Sequence, residues 1–299
     1  MKILDYRTAN ARDPYVLFNE GKYYTLFSLD NKLWLKVTDK LEDILEAEMH
    51  VIFTPEDEFC ECLWAPELHI IDGVPYIYVT MAKEFGQPQH MFVLTTASKK
   101  IDDTYKVISY LKHENDLWAI DGTVLKLNDK LYYIYSAFGS FDGEMYQALY
   151  IDEMINPYTL KGGVKLFTKS QFDWELNGCN GKNRPYVTEG PYAIYHEGKT
   201  FIVYSASGCW TDYYCLGIME YIGGDPLSMD SWKKYSHPIL DGASGFVGPG
   251  HASFIQNDPS GVEYCAFHAY EKDSSRGEKY VLAHIYPMIW ENGLPKIKY

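Results

Sequence analysis

The sequence predicts an all-β fold, a five-bladed β-propeller occupying residues 1–299 as a single domain. Three observations lead there: one hairpin pattern recurs five times, helical periodicity is nearly absent, and aromatic residues crowd the recurring strands. The turn residues are Gly21, Gly73, Asp129, Gly198 and Gly261, spaced 52, 56, 69 and 63 residues apart. Behind each turn runs an aromatic-rich strand, over 22–28, 74–80, 130–136, 199–205 and 262–269. Alternation or a continuous apolar run bounded by turn chemistry is the mark of a β-hairpin. Units of this length hold four short strands each, which is a propeller blade. The period exceeds the ~40–45 residues of a WD40 blade, and the Trp-Asp signature is missing. Only 39–47 reads as a short helix, and no Pro/Gly/Ser-rich linker divides the chain.

Composition agrees with a folded core and narrows the partners. Hydrophobic residues make up 46 % and charged residues 23 % of the 299. The 27 Tyr, 14 Phe and 7 Trp suit pleated strands and can also cover the C–H faces of sugars. A net charge of −14 argues against nucleic acid and anionic membrane surfaces as partners. No apolar stretch reaches spanning length. Residues 1–11 lack a charged segment followed by an apolar one, so the expected location is cytoplasmic. The six cysteines show no paired CxxC spacing for zinc. A Cys209–Cys215 bridge is conceivable, but a reducing compartment favours free thiols.

In a propeller the first strand of each blade lines the axis, and its starting end faces a shared pocket. Counting back from the turns, Asp13 lies eight residues before Gly21 and Asp121 eight before Asp129. Trp64 and Glu67 lie nine and six before Gly73, Glu189 nine before Gly198, and His251 ten before Gly261. Each alone has an ordinary structural explanation: Asp before Pro or Gly is usually a turn, and a single His is usually just hydrogen-bonded. Their common phase is what carries weight, because burying unpaired carboxylates is costly and convergent ones separate their pKa values for acid–base work. The loops after the aromatic strands add Met81, Phe138, Trp210 and Tyr270, with Trp64 approaching from the first-strand side. An acidic floor and an aromatic wall suit a neutral polyol ring.

At these residues the sequence resembles glycoside hydrolase family 43, a family of five-bladed propellers. The likeness rests on Arg12-Asp13-Pro14-Tyr15-Val16, Leu63-Trp64-Ala65-Pro66-Glu67-Leu68, Ile120-Asp121-Gly122-Thr123, Glu189-Gly190-Pro191 and Gly248-Pro249-Gly250-His251, one motif per blade and in order. Glu189-Gly190-Pro191 followed by Tyr204 to Trp210 looks most like the exo-acting α-L-arabinofuranosidases. The xylosidase branch commonly carries an appended β-sandwich, for which this chain is too short.

The resemblance implies Asp13 as general base, Glu189 as general acid, and Asp121 as the third acid that orients the donor and raises its pKa. It implies inversion at the sugar carbon and an exo-acting hydrolase of terminal α-L-arabinofuranosyl residues on arabino-oligosaccharides. It implies no required cofactor, though relatives often hold a structural Ca²⁺ near the axis through water and the histidine, here His251. Many relatives also reach the sugar with an Arg near the C-terminus; His284 stands roughly there, and Arg276 is the upstream substitute. The alternatives are a β-xylosidase acting on xylo-oligosaccharides and a non-catalytic sugar-binding propeller.

Overall fold

A computed structural model of the chain describes residues 1–4, 11–56, 58–112, 118–270 and 281–299. It is all-β, and the chain is stitched end to end. The first strand, β1 (Lys2–Leu4), pairs antiparallel with a strand near the C-terminus, placing Lys2 opposite His284. Between them the strands form successive antiparallel sets. The first is β2 (Tyr15–Asn19), β3 (Lys22–Leu29), β4 (Lys32–Thr38) and β5 (Met49–Phe53). The second is β6 (Glu61–Ile71), β7 (Val74–Ala82), β8 (His90–Thr95) and β9 (Lys106–Leu111). The third is β10 (Ala119–Leu127), β11 (Lys130–Phe141) and β12 (Glu144–Asn156), with β13 (Thr159–Leu160) and β14 (Lys165–Thr168) both pairing β12. The fourth is β15 (Tyr186–His196), β16 (Lys199–Ala206), β17 (Cys215–Tyr221) and β18 (Trp232–Lys234). The last is β19 (Val247–Ile255), β20 (Glu263–Tyr270), β21 (Val281–Glu291) and β22 (Leu294–Ile297), with β1 on β21.

The third and fourth sets are joined by a short parallel contact, Tyr146 to Tyr186 and Gln147 to Val187, so hydrogen bonding alone delimits four sheets of four, four, nine and five strands. The leading strands touch in a closed ring: β2 with β6, β6 with β10, β10 with β15, β15 with β19, and β19 back to β2. That is the arrangement of a β-propeller. The closure is specific: Ser253 Oγ donates to the Pro14 carbonyl and accepts the Val16 N–H.

The turn residues fall where the repeat places them. Four leading hairpins close through two-residue loops, Glu20-Gly21, Asp72-Gly73, Asn128-Asp129 and Glu197-Gly198. Both residues of each loop have φ between 47° and 76°, apart from Gly21 at 83°. Two positive φ values make a type I′ turn, whose twist matches that of the strands it joins. The helix expected over 39–47 is reduced to a single 3₁₀ turn, Leu41–Asp43. Leu41 and Ile44 are buried there, so packing holds the turn while the segment is too short to repay helix nucleation. Apolar clusters fill the spaces between neighbouring sets; Ile194, Phe201, Phe254 and Phe267, for example, bring the fourth and last sets together.

Candidate active site

At the ends opposite the hairpins, the leading strands are irregular in a common way. The pairing register slips between Trp64 and Glu67 in β6, Ile120 and Thr123 in β10, Glu189 and Tyr192 in β15, and Gly250 and Ser253 in β19. Each slip contains one residue of positive φ: Ala65 (42°), Asp121 (56°), Gly190 (51°) and His251 (46°). Asp13, just ahead of β2, has φ 52°. These are bulges, which re-aim side chains that a regular ladder would send elsewhere. Left-handed backbone at a non-glycine residue is strained by about 1–3 kcal/mol, and such strain gathers at functional sites. The structurally equivalent residues are therefore Asp13, Ala65, Asp121, Gly190 and His251. Glu189 and Trp64, nine residues before their turns where Asp13 and Asp121 are eight, each lie one residue ahead of the equivalent position.

His251 is the hub of the charges. Its Nδ1 lies 3.0 Å from Asp13 Oδ1 and 3.9 Å from Asp121 Oδ2. Its own N–H donates to Ser205 Oγ at 2.8 Å. Burial would lower the pKa of this imidazole, but Asp13, then Asp121 and Glu189, hold it above the ordinary value. Asp13 goes the other way: burial alone would raise its pKa, yet His251, His268 and Arg12 together hold it well below the carboxylate range. Its backbone N–H donates to His268 Nδ1 at 3.1 Å. Asp121 is pushed up to about 8, first by burial and then, against the pull of His251, by the charges of Glu189 and Asp13. The Gly190 N–H donates to its Oδ2 at 3.1 Å. Glu189 is raised as well, chiefly by burial, although Tyr214 OH donates to Oε1 at 2.8 Å and Gln147 Nε2 to Oε2 at 2.6 Å. The site thus holds one carboxylate kept ionised and a buried pair that retains a proton.

Known proteins share this fold. The model of glycosyl hydrolases family 43 matches residues 7–295. The chain belongs to that family. It is 25 % identical over 89 % of its length to alpha-L-arabinofuranosidase B of Pyricularia oryzae. It is 26 % identical over 86 % of its length to an extracellular exo-alpha-(1->5)-L-arabinofuranosidase of Streptomyces avermitilis. It spans little more than half of each, 56 % and 54 %. The crystal structure of an alpha-L-arabinofuranosidase from Lactobacillus brevis superposes with a TM-score of 0.82 at 24 % identity, covering 97 % of this chain and 96 % of that one. The cytoplasmic expectation gains no support here, since one relative is named as extracellular.

The other residues expected in this family-43 site divide. Trp64 and Trp210 are well exposed aromatics, and Trp210 Nε1 donates to the Gly178 carbonyl at 3.3 Å with Arg184 over its ring. Phe138 packs on Trp118 with ring centres 4.5 Å apart, and pairs across the ladder with Gln147, a partner of Glu189. Tyr270 OH accepts from Arg12 at 2.7 Å and donates to the Cys209 carbonyl at 3.1 Å. Met81, by contrast, is buried with Phe92 and Leu94 in the apolar cluster between the first and second sets, in a stretch of strand buried on both faces. His284 is buried, with its ring packed against Phe246 and Phe267. Arg276 lies outside the described residues. Glu67 is buried and paired with His69 Nε2 at 2.8 Å. All six cysteines are free thiols.

The site also contains residues that repeat counting did not find. Arg12 sits beside Asp13 within a motif already noted, His268 ends an aromatic strand, and Tyr214 and Gln147 come from positions with no repeat phase. The loop ahead of Glu189 is pinned: Glu175, wholly buried, pairs with Lys234 Nζ at 2.7 Å, and Trp174 Nε1 donates to the Ser236 carbonyl at 2.9 Å. Among the described residues no three His, Cys, Asp or Glu side chains converge as a metal-ligand set. Ca²⁺ takes 6–8 oxygen ligands, so the residues here do not by themselves fit it. A separate cavity of about 800 Å³, bordered by Asn19, Asp72, Asp129 and Gln256, lies at the hairpin end and contains none of the three acids.

Proposed function

We propose that residues 1–299 form one five-bladed propeller that acts as an inverting, exo-acting α-L-arabinofuranosidase on arabino-oligosaccharides. The observation that carries this reading is the sorting of the carboxylates: Asp13 is held ionised while buried Asp121 and Glu189 are raised. An inverting glycosidase needs one acid and one base flanking the bond, about 6.5–9.5 Å apart to admit a water. Asp13 and Asp121 both approach the His251 ring, and Asp121 in turn accepts from the residue after Glu189. This order, with base and acid at its two ends, suits that spacing.

In the reaction, Asp13 takes a proton from water as the water oxygen attacks the anomeric carbon. The bond from that carbon to the leaving oxygen breaks, and Glu189 gives its proton to the leaving oxygen. Buried Asp121 and Glu189 cannot both ionise, so the pair keeps the proton that Glu189 delivers, and His251 faces both aspartates. Trp64 and Trp210 offer faces to the sugar. The preference for arabinofuranose rests on what the relatives are named for.

The test is a panel of aryl pentosides and arabino-oligosaccharides. The expected result is arabinose released singly from chain ends, with the inverted anomer appearing first by proton NMR, and release from the oligosaccharides slowed by about 10²-fold or more in Glu189→Gln. Faster cleavage of the xylopyranoside would move the assignment to β-xylosidase. Tight binding with no turnover would make the protein a sugar-binding propeller.

A further inference from the structure

Behind the carboxylates two buried rings, His268 and Tyr214, stack on one another. His268 is 1 % exposed and Tyr214 is 1 % exposed. Their rings are nearly parallel, 13° apart, with centres 5.6 Å from one another. This is an offset stack, a favoured aromatic geometry. His268 holds the Asp13 end: Nδ1 accepts the Asp13 N–H at 3.1 Å and lies 3.4 Å from Oδ1. Tyr214 holds the Glu189 end through its hydroxyl at 2.8 Å.

The two rings come from different sets of strands. His268 is in β20, and Tyr214 immediately precedes β17. The stack is possible because Gly250, opposite His268 in the ladder, has no side chain: a Cβ there would lie 2.2 Å from the Tyr214 ring. A glycine with that neighbour keeps a space that only the ring fills.

From this we infer that His268 and Tyr214 form a single stacked brace that sets the position of Asp13 relative to Glu189, making both of them positioning residues. The inference rests on the functional reading above. Neither residue touches the sugar in this account; each acts through the carboxylate it holds. A shift of about 1 Å in a reacting group can cost on the order of 10²-fold in rate, so a brace between base and acid has something to protect.

The experiment uses aryl arabinofuranosides of graded leaving-group pKa, because the acid matters more as the leaving group worsens, whereas the base matters equally for all. His268→Phe keeps the stack and removes the Asp13 acceptor. It should lower kcat by about tenfold or more with every leaving group, with KM nearly unchanged. His268→Asn keeps an acceptor near the Nδ1 position and removes the ring beneath Tyr214. It should lower kcat in a graded way, most for the poorest leaving groups, as Tyr214→Phe should. That graded loss in a residue on the base side is the signature of the brace; a role in folding alone would not produce it.

A flat profile for His268→Asn, or a kcat for His268→Phe within about twofold of the parent, overturns the inference. If His268→Asn does not fold, Tyr214→Leu replaces it. Loss of the hydroxyl and the ring should then add a leaving-group-independent deficit to the graded one, and its absence also overturns the inference. Failure of the functional reading is seen separately, in the parent protein turning over none of the arabinofuranosides.

Discussion

The leading strands use the same unusual backbone conformation at both ends, for opposite purposes. At the hairpin ends, positive φ occurs in adjacent pairs at Glu20-Gly21, Asp72-Gly73, Asn128-Asp129 and Glu197-Gly198. These residues close two-residue loops, and a Cβ built on Gly21, Gly73 or Gly198 meets nothing within 4 Å. At the other ends it occurs within or just before the inner strand, at Asp13, Ala65, Asp121, Gly190 and His251, among buried charges. A Cβ on Gly190 would lie 3.1 Å from the His251 ring. One end spends its strain on register, and the other on aim. Changes at the first should therefore cost stability, while changes at the second should cost rate.

The sharpest test of that contrast is the charge pair itself. Asp13→Asn and Glu189→Gln should each lower kcat by about 10²–10⁴-fold. The Glu189 loss should shrink for a dinitrophenyl leaving group, and the Asp13 loss should not. Equal behaviour of the two variants across leaving groups would erase the distinction between base and acid.

Asp121→Asn comes next and acts through pH. Replacing one member of the buried acid pair removes the pair's upper titration, so the alkaline limb of the kcat profile should move to lower pH, with a loss of roughly 10²-fold at neutrality. The same variant probes stability in the other direction. A carboxyl raised on folding contributes its stability below the ordinary carboxylate pKa and loses it as pH rises through the folded value, here about 8. Thermal melting of Asp121→Asn should thus gain on the parent between about pH 4 and 8. A constant difference across that window would contradict the raised pKa.

A milder comparison sets glycine against glycine. Gly190→Ala should destabilise by about 1–3 kcal/mol and, by pressing on His251, also lower kcat by roughly tenfold. Gly198→Ala meets the same φ penalty of about 1–2 kcal/mol, read as a lower melting temperature, with kcat unchanged. If Gly198→Ala slows the reaction as much as Gly190→Ala does, the division between the two ends fails.

Much of this was legible in the residues. The hairpins were, because each type I′ turn here ends on Gly or Asp and strands favour alternation, and both are local preferences. The three acids were found because a repeat carries an equivalent position from one set to the next. Glu189 stands nine residues before its turn where Asp13 and Asp121 stand eight before theirs, and the structure gives the equivalent position to Gly190. The same device put Met81 on the rim, where counting along a strand cannot tell which face it shows.

The sequence by itself determined the all-β class, the turn positions and the family, because propensity, periodicity and short motifs act over a few residues. Only the tertiary structure decided which carboxylate ionises, because that depends on His251, His268 and Arg12 arriving from distant segments, and Coulomb energies follow distance in space. It alone placed Tyr214, Gln147 and His268 against the acids. These contacts join residues as far as 255 positions apart, and no local rule links such positions.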